Sequence, residues 1–129
     1  MNRYNREIAK IKDACYSKQW QLDTVIGIKP YIDNHYQDDL NLDLFSRIKF
    51  VSKYHLLRLY KRYYGLTPKQ YLIDKRVEMS KVYIRDGMSI TEACNEVGFE
   101  SLGSFSALFK RKTGFTPTEF QKSNFREVE

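Results

Sequence analysis

Between Ser52 and Tyr64 the chain reads SKYHLLRLYKRYY, and these residue types suit one kind of chemistry well. At helical spacing Tyr54, Leu57, Arg58 and Lys61 fall at i, i+3, i+4 and i+7, so they share one face. A guanidinium such as that of Arg58 donates two parallel hydrogen bonds, matching the O6 and N7 acceptors of guanine in a DNA major groove. The Tyr54 ring can stack on a sugar or touch a thymine methyl, and Leu57 can meet a methyl too. Lys53, Lys61 and Arg62, with the Ser52 hydroxyl at the helix start, suit phosphate oxygens, where contacts add affinity but no sequence information. His55, beside the stripe, can contact a phosphate, cap or pack.

The chain writes part of this segment twice. RLYKRYYGLTP (58–68) returns 49 positions later as ALFKRKTGFTP (107–117), with six of eleven letters identical. In the second copy Gly103, Ser106, Ala107 and Lys110 form the outward stripe, with Leu102 and Ser104 beside it. None of the small residues is a strong hydrogen-bond reader. They permit close approach, thymine-methyl contact and recognition through DNA shape. Ser101, Lys110, Arg111 and Lys112 would hold the backbone. Arginine opens only the first copy, so the first is expected to set base preference and the second to anchor and orient.

Other chemistries find little support. There is no Gly-rich phosphate loop and no Ser-His-Asp or Cys-His set with suggestive placement, so no catalytic residue is assigned. Cys15, His35, His55 and Cys94 follow one another at intervals of 20, 20 and 39 residues, which is no usual zinc spacing. No metal and no cofactor is expected, and Cys94 reads as a small buried helix residue. Residues 1–20 are charged throughout and no apolar run approaches spanning length, so neither a signal peptide nor a membrane partner is expected, and the location expected is cytoplasmic.

Charge says where a partner would sit. Residues 47–85 carry eleven Lys/Arg against two Asp/Glu, a surplus of +9, whereas 1–46 sum to −1 and 86–129 to −2. A basic surplus held in one third of a 129-residue chain points to a polyanion; charge alone suits nucleic acid or an anionic membrane surface, and the doubled helix face selects nucleic acid. Hydrophobic residues make up 42% and prolines number only three, enough apolar material and few enough breaks for a helical core.

The elements that must position these faces are legible from caps and stripes. Tyr4, Ile8, Ile11 and Cys15 form a helical stripe expected to dock on the rest, and Pro30 suits the first turn of a short helix. Asn41 is a candidate N-cap for a helix holding Leu42, Phe45 and Ile48 inward. Ser52 caps the helix from Lys53 to about Tyr64, whose inward stripe is Leu56, Leu59, Tyr60 and Tyr63, and Gly65 stops it. Thr67, Pro68 and Gln70 start a helix running to about Arg85, roughly 27 Å long. Ser89 with Glu92 opens a short helix that Gly98 ends. Ser101 caps the next, with Phe105, Leu108 and Phe109 inward, and Gly114 closes it before Thr116, Pro117 and Glu119 start the last.

Helix, tight turn, longer helix and exit helix, written twice, is a doubled helix-turn-helix, the arrangement that places its second helix in a major groove. Two such helices joined by a bridge of ~27 Å can enter successive major grooves ~34 Å apart, and unequal halves predict an asymmetric site. The expected fold is all-α: two helix-turn-helix subdomains joined by a long linker helix, about seven helices plus an N-terminal helix. The expected divisions are an N-terminal extension (1–29), a first subdomain (30–66), the linker helix (67–86) and a second subdomain (87–125).

VSKYHLLRLYKRYYGLTPKQYL and SITEACNEVGFESLGSFSALFKRKTGFTPTEF resemble the DNA-binding domain of the AraC/XylS family of bacterial transcription regulators. The resemblance runs from about Pro30 to Phe120, roughly 70% of the chain. It implies a seven-helix fold that binds double-stranded DNA asymmetrically, as a monomer, and activates or represses transcription near RNA polymerase. About 29 residues precede the match, too few for the ligand-sensing jelly roll of larger members, so no small-molecule effector domain is expected. The chain is then a short stand-alone regulator or a fragment of a longer one, and Met1 favours the former. Three positions depart from the family pattern. Phe50 stands where a turn glycine is common, which predicts a more loosely built or differently angled turn. Leu57 and Ala107 replace polar residues of the reading faces. A non-specific or architectural nucleic-acid binder, or a protein-interaction module, is the alternative.

Overall fold

The computed structural model describes residues 5, 6, 19, 22, 23 and 25–128. The Tyr4, Ile8, Ile11 and Cys15 stripe lies outside the described residues. The fold is all-helical: α1 (25–35), α2 (Leu42–Lys49), α3 (Lys53–Tyr64), α4 (Pro68–Arg85), α5 (Ile90–Glu96), α6 (Leu102–Thr113) and α7 (Pro117–Val128). The chain divides into two compact units. One takes in residues up to Tyr31 together with Asn41–Pro68, and the other Ile32–Leu40 with Lys69–Glu129.

Local chemistry starts most of these helices. The side chains of Asn41, Ser52, Ser89 and Ser101 accept from the backbone N–H three residues on, at Leu44, His55, Glu92 and Ser104. At α7 the box is reciprocal: Glu119 N–H donates to Thr116 Oγ1 at 3.1 Å, and Thr116 N–H to Glu119 Oε2 at 3.4 Å.

Pro30 departs from the expected first turn and lies inside the helical run of α1. Burial overrides its lost N–H. Val25, Ile28 and Ile32 at i, i+3 and i+7 are all buried, and Pro30 sits on the exposed side.

In the first unit α2 packs on α3, and the core gathers Val25, Ile28, Leu42, Val51, Leu56 and Tyr60. Tyr31 meets Phe45 edge to face with ring centroids 4.8 Å apart. Tyr63 departs from the inward stripe: it is 53% exposed, and its neighbour Tyr64 packs on buried Tyr60 instead, at 4.6 Å.

The turn between α2 and α3 is not loosely built. Val51 N–H donates to Ser46 O at 3.1 Å, the six-residue closure of a Schellman cap, with Phe50 left-handed at φ 54°. The same bond ends α4, from Met88 to Tyr83, and α5, from Phe99 to Cys94, and there glycine holds the left-handed position at Gly87 and Gly98. Phe50 thus accepts a conformation that glycine adopts elsewhere in this chain, and its ring is 90% exposed.

The second unit has a line of rings at its centre. Phe99, Phe105, Phe109 and Phe120 follow one another with centroids 5.3, 5.7 and 5.5 Å apart. Such offset and edge-on pairs add about 0.5–1.5 kcal/mol each beyond their buried area. Arg76 of α4 fastens the segment before α2 to this core, donating to the carbonyl oxygens of Tyr36 and Asp38 with its guanidinium over the Phe99 ring.

Candidate nucleic-acid interface

Positions of α3 follow from its two faces. Leu56 and Tyr60 are fully buried, which turns Tyr54, Arg58 and Lys61 outward. Tyr54 is 70% exposed, and the Arg58 guanidinium carbon lies 5.6 Å from its ring centroid. Leu57, on the same stripe, is half-buried, as is His55. Lys61 and Arg62 stand exposed in the last turn, where they also complement the negative end of the helix dipole. Lys53 Nζ comes within 3.6 Å of Asp43 Oδ1 on α2.

The face of α6 is built in the same way. Phe105 and Phe109 are fully buried, leaving Leu102, Gly103, Ala107 and Lys110 exposed and Ser106 half-buried. Lys110, Arg111 and Lys112 form its last turn. They do not all point alike: Lys112 Nζ reaches back to Asp74 Oδ1 of α4 at 2.8 Å, whereas Lys110 and Arg111 are exposed. The acidic partners Asp43 and Asp74 carry no sequence signal, because they lie 10 and 38 positions from their lysines.

Ser52 and Ser101 spend an acceptor lone pair on capping, at 3.1 and 3.2 Å from the His55 and Ser104 nitrogens. Each hydroxyl keeps a hydrogen to donate, so capping and phosphate contact are compatible uses.

Among the described residues no three His, Cys, Asp or Glu side chains are grouped so as to hold a metal ion, and no helix is long and apolar enough to cross a membrane. Burial pushes the Cys94 thiol up from its ordinary pKa, the direction that keeps it protonated and unreactive.

Two helices that each bury one apolar face and leave the other exposed with basic residues in the last turn, each preceded by a shorter helix and a tight turn, define a tandem helix-turn-helix protein. A family model described as a helix-turn-helix domain matches residues 45–123. The chain belongs to the AraC/XylS-type helix-turn-helix regulators of transcription. It is 32% identical over 98 residues to the probable transcriptional regulator LumQ of Photobacterium leiognathi, covering 75% of this chain and 40% of LumQ. It is 34% identical over 101 residues to the bifunctional transcriptional activator and DNA repair enzyme AdaA of Bacillus subtilis, covering 78% of this chain and 48% of AdaA. The chain therefore spans less than half the length of either. Its fold is similar to the DNA-binding domain of the global transcriptional factor AdpA, solved with a target DNA, with a TM-score of 0.73 at 18% identity over 80% of this chain and 94% of that one.

Proposed function

We propose that the chain binds an asymmetric double-stranded DNA site as a monomer, with α3 and α6 in successive major grooves, and regulates transcription beside RNA polymerase in the cytoplasm. The observation that carries this reading is the exposed trio of Tyr54, Arg58 and Lys61 on a helix whose opposite face is locked by Leu56 and Tyr60. In this reading Arg58 reads guanine, and Tyr54 and Leu57 meet sugar or methyl groups. Leu102, Gly103, Ser106 and Ala107 admit close approach of the second groove. Ser52, Lys53, Lys61, Arg62, Ser101, Lys110, Arg111 and Lys112 serve the phosphates, Lys53 and Lys112 by exchanging Asp43 and Asp74 for the backbone. The role is binding, without catalysis or cofactor.

Selection from a random duplex library, followed by affinity at two salt concentrations, tests this. The expected result is one site with two unlike boxes about a helical turn apart, bound roughly 10³-fold or more tighter than random sequence. Binding with no enrichment, fading uniformly as salt rises, would leave a non-specific architectural binder.

A further inference from the structure

We propose that Tyr54 is a positioning residue for Arg58: its ring holds the guanidinium over the leading end of α3 before DNA arrives. The proposal deepens the reading above and rests on Arg58 being the base reader. Three observations carry it. The Arg58 guanidinium carbon lies 5.6 Å from the Tyr54 centroid, inside the range of a cation–π contact. Tyr54 is 70% exposed, so its ring gives little to the core and is free to serve a neighbour. Arg58 also follows it by one turn, the spacing at which a helical side chain leans back toward the N-terminus and over the residue four before it.

That direction matters for reading. A helix-turn-helix presents the N-terminal residues of its second helix to the base edges. A guanidinium drawn toward Tyr54 is drawn toward that end, and the rotamer freedom it would lose in the groove is lost partly on folding instead. Arg58 then discriminates between base pairs better than an unrestrained arginine at the same position. An aromatic face is required; the hydroxyl is not. Leucine at position 54 would match the bulk of a methyl contact and lose the cation–π partner.

The test uses the full chain, the selected duplex, and a panel of duplexes each altered at one base pair. Tyr54→Leu is expected to lower discrimination at the Arg58 base pair about two- to five-fold, the worth of an exposed cation–π contact. Tyr54→Phe is expected to restore it. In an Arg58→Ala background Tyr54→Leu should leave discrimination at that pair unchanged, because there is no guanidinium left to hold. NMR of the free protein should show ring-current shifts on the Arg58 side chain that Tyr54→Phe keeps and Tyr54→Leu removes. Equal losses of discrimination at the Arg58 base pair from Tyr54→Leu with and without Arg58 would overturn the proposal, because the ring would then act on that pair without the guanidinium. Absence of the ring-current shifts would overturn it as well. If Arg58→Ala changes no base preference, the base-reading assignment itself has failed and the proposal falls with it, an outcome separable from the other two.

Discussion

Arg76 Nε donates to the carbonyl oxygen of Tyr36 at 2.7 Å across 40 positions of sequence. Its terminal nitrogen donates to Asp38 O at 2.9 Å, and the guanidinium plane is backed by the Phe99 ring at 5.6 Å. One fork thus ends the segment after α1 and ties it to the second helix-turn-helix. Burial lowers the Arg76 pKa while Asp39, Asp38 and Glu100 oppose the shift, so the charge is retained at a desolvation cost that the carbonyls and ring offset.

Removing that fork should be expensive. Arg76→Ala is expected to destabilise the protein by about 2–3 kcal/mol in urea titration, as expected for hydrogen bonds from a charged donor to groups left without it. Arg76→Lys should recover only part of the loss, because an ammonium cannot present two donors in a fixed plane. Full recovery by lysine would show that charge, and not the fork, does the holding.

Gly98 lies against the same segment. Its φ is +98°, and a Cβ there would stand 2.5 Å from Gln37 O and 3.1 Å from an Arg76 terminal nitrogen. Gly65 has a similarly positive φ of +79° with open space around it. Gly65→Ala is therefore expected to cost about 1 kcal/mol from backbone strain alone. Gly98→Ala should cost clearly more, roughly 2–4 kcal/mol, since backbone has to move. Equal melting temperatures for the two variants would remove the steric argument.

Phe50 inverts this logic. It holds the left-handed position of a Schellman cap whose counterparts at Gly87 and Gly98 are glycine. Its ring is 90% exposed, so replacement loses little packing. Left-handed backbone costs a side-chain-bearing residue about 1–2 kcal/mol, and the added freedom of unfolded glycine returns somewhat less than 1. Phe50→Gly is expected to stabilise the protein by about 0.5–1 kcal/mol, seen as a higher thermal midpoint. A lower midpoint would mean the ring contributes to folding despite its exposure.

What the sequence made legible follows its reach. Caps at Asn41, Ser52, Ser89, Ser101 and Thr116 act over three positions, so helix starts could be read locally, and Gly65 and Gly114 marked two ends just as directly. Pro30 misled because burial of Val25, Ile28 and Ile32 carries a helix through it, and burial is not local information. Tyr63 and Tyr64 are adjacent aromatics at a helix end, where a small difference in angle decides which one turns in. The outward stripe on α3 was readable from spacing. The Arg58–Tyr54 contact, the Asp43 and Asp74 partners and the Arg76 fork were not, since each depends on rotamers or on residues far along the chain.

Tyr36 gives a pH dependence. Burial, its hydroxyl contact with Tyr83 at 3.0 Å, and the Tyr83 and Glu96 charges push its pKa up to about 12, against an unfolded value near 10. Between those values the folded state keeps a proton that the unfolded state has released, so stability falls as pH rises from about 10 toward 12. Below about pH 9 the group contributes no slope. Urea midpoints measured from pH 8 to 11.5 should fall more steeply for the parent protein than for Tyr36→Phe at the alkaline end. Parallel curves would mean Tyr36 titrates alike in both states.

Phosphate contact separates the basic residues by counting. Each phosphate neutralised on B-DNA contributes about −0.9 to the slope of log affinity against log salt. Lys61 and Arg62 are exposed at the end of α3, so Lys61→Ala and Arg62→Ala are each expected to make that slope shallower by about 0.9 without altering the preferred sequence. Lys112 starts from a different position, held 2.8 Å from Asp74. A half-exposed pair of this kind is worth at most about 1 kcal/mol, so DNA can break it. Asp74→Asn is expected to tighten binding at low salt, because the lysine no longer has to leave a carboxylate. Lys112→Ala should then abolish the gain. If Asp74→Asn leaves affinity and slope untouched, Lys112 serves the fold of the second unit and not the DNA backbone.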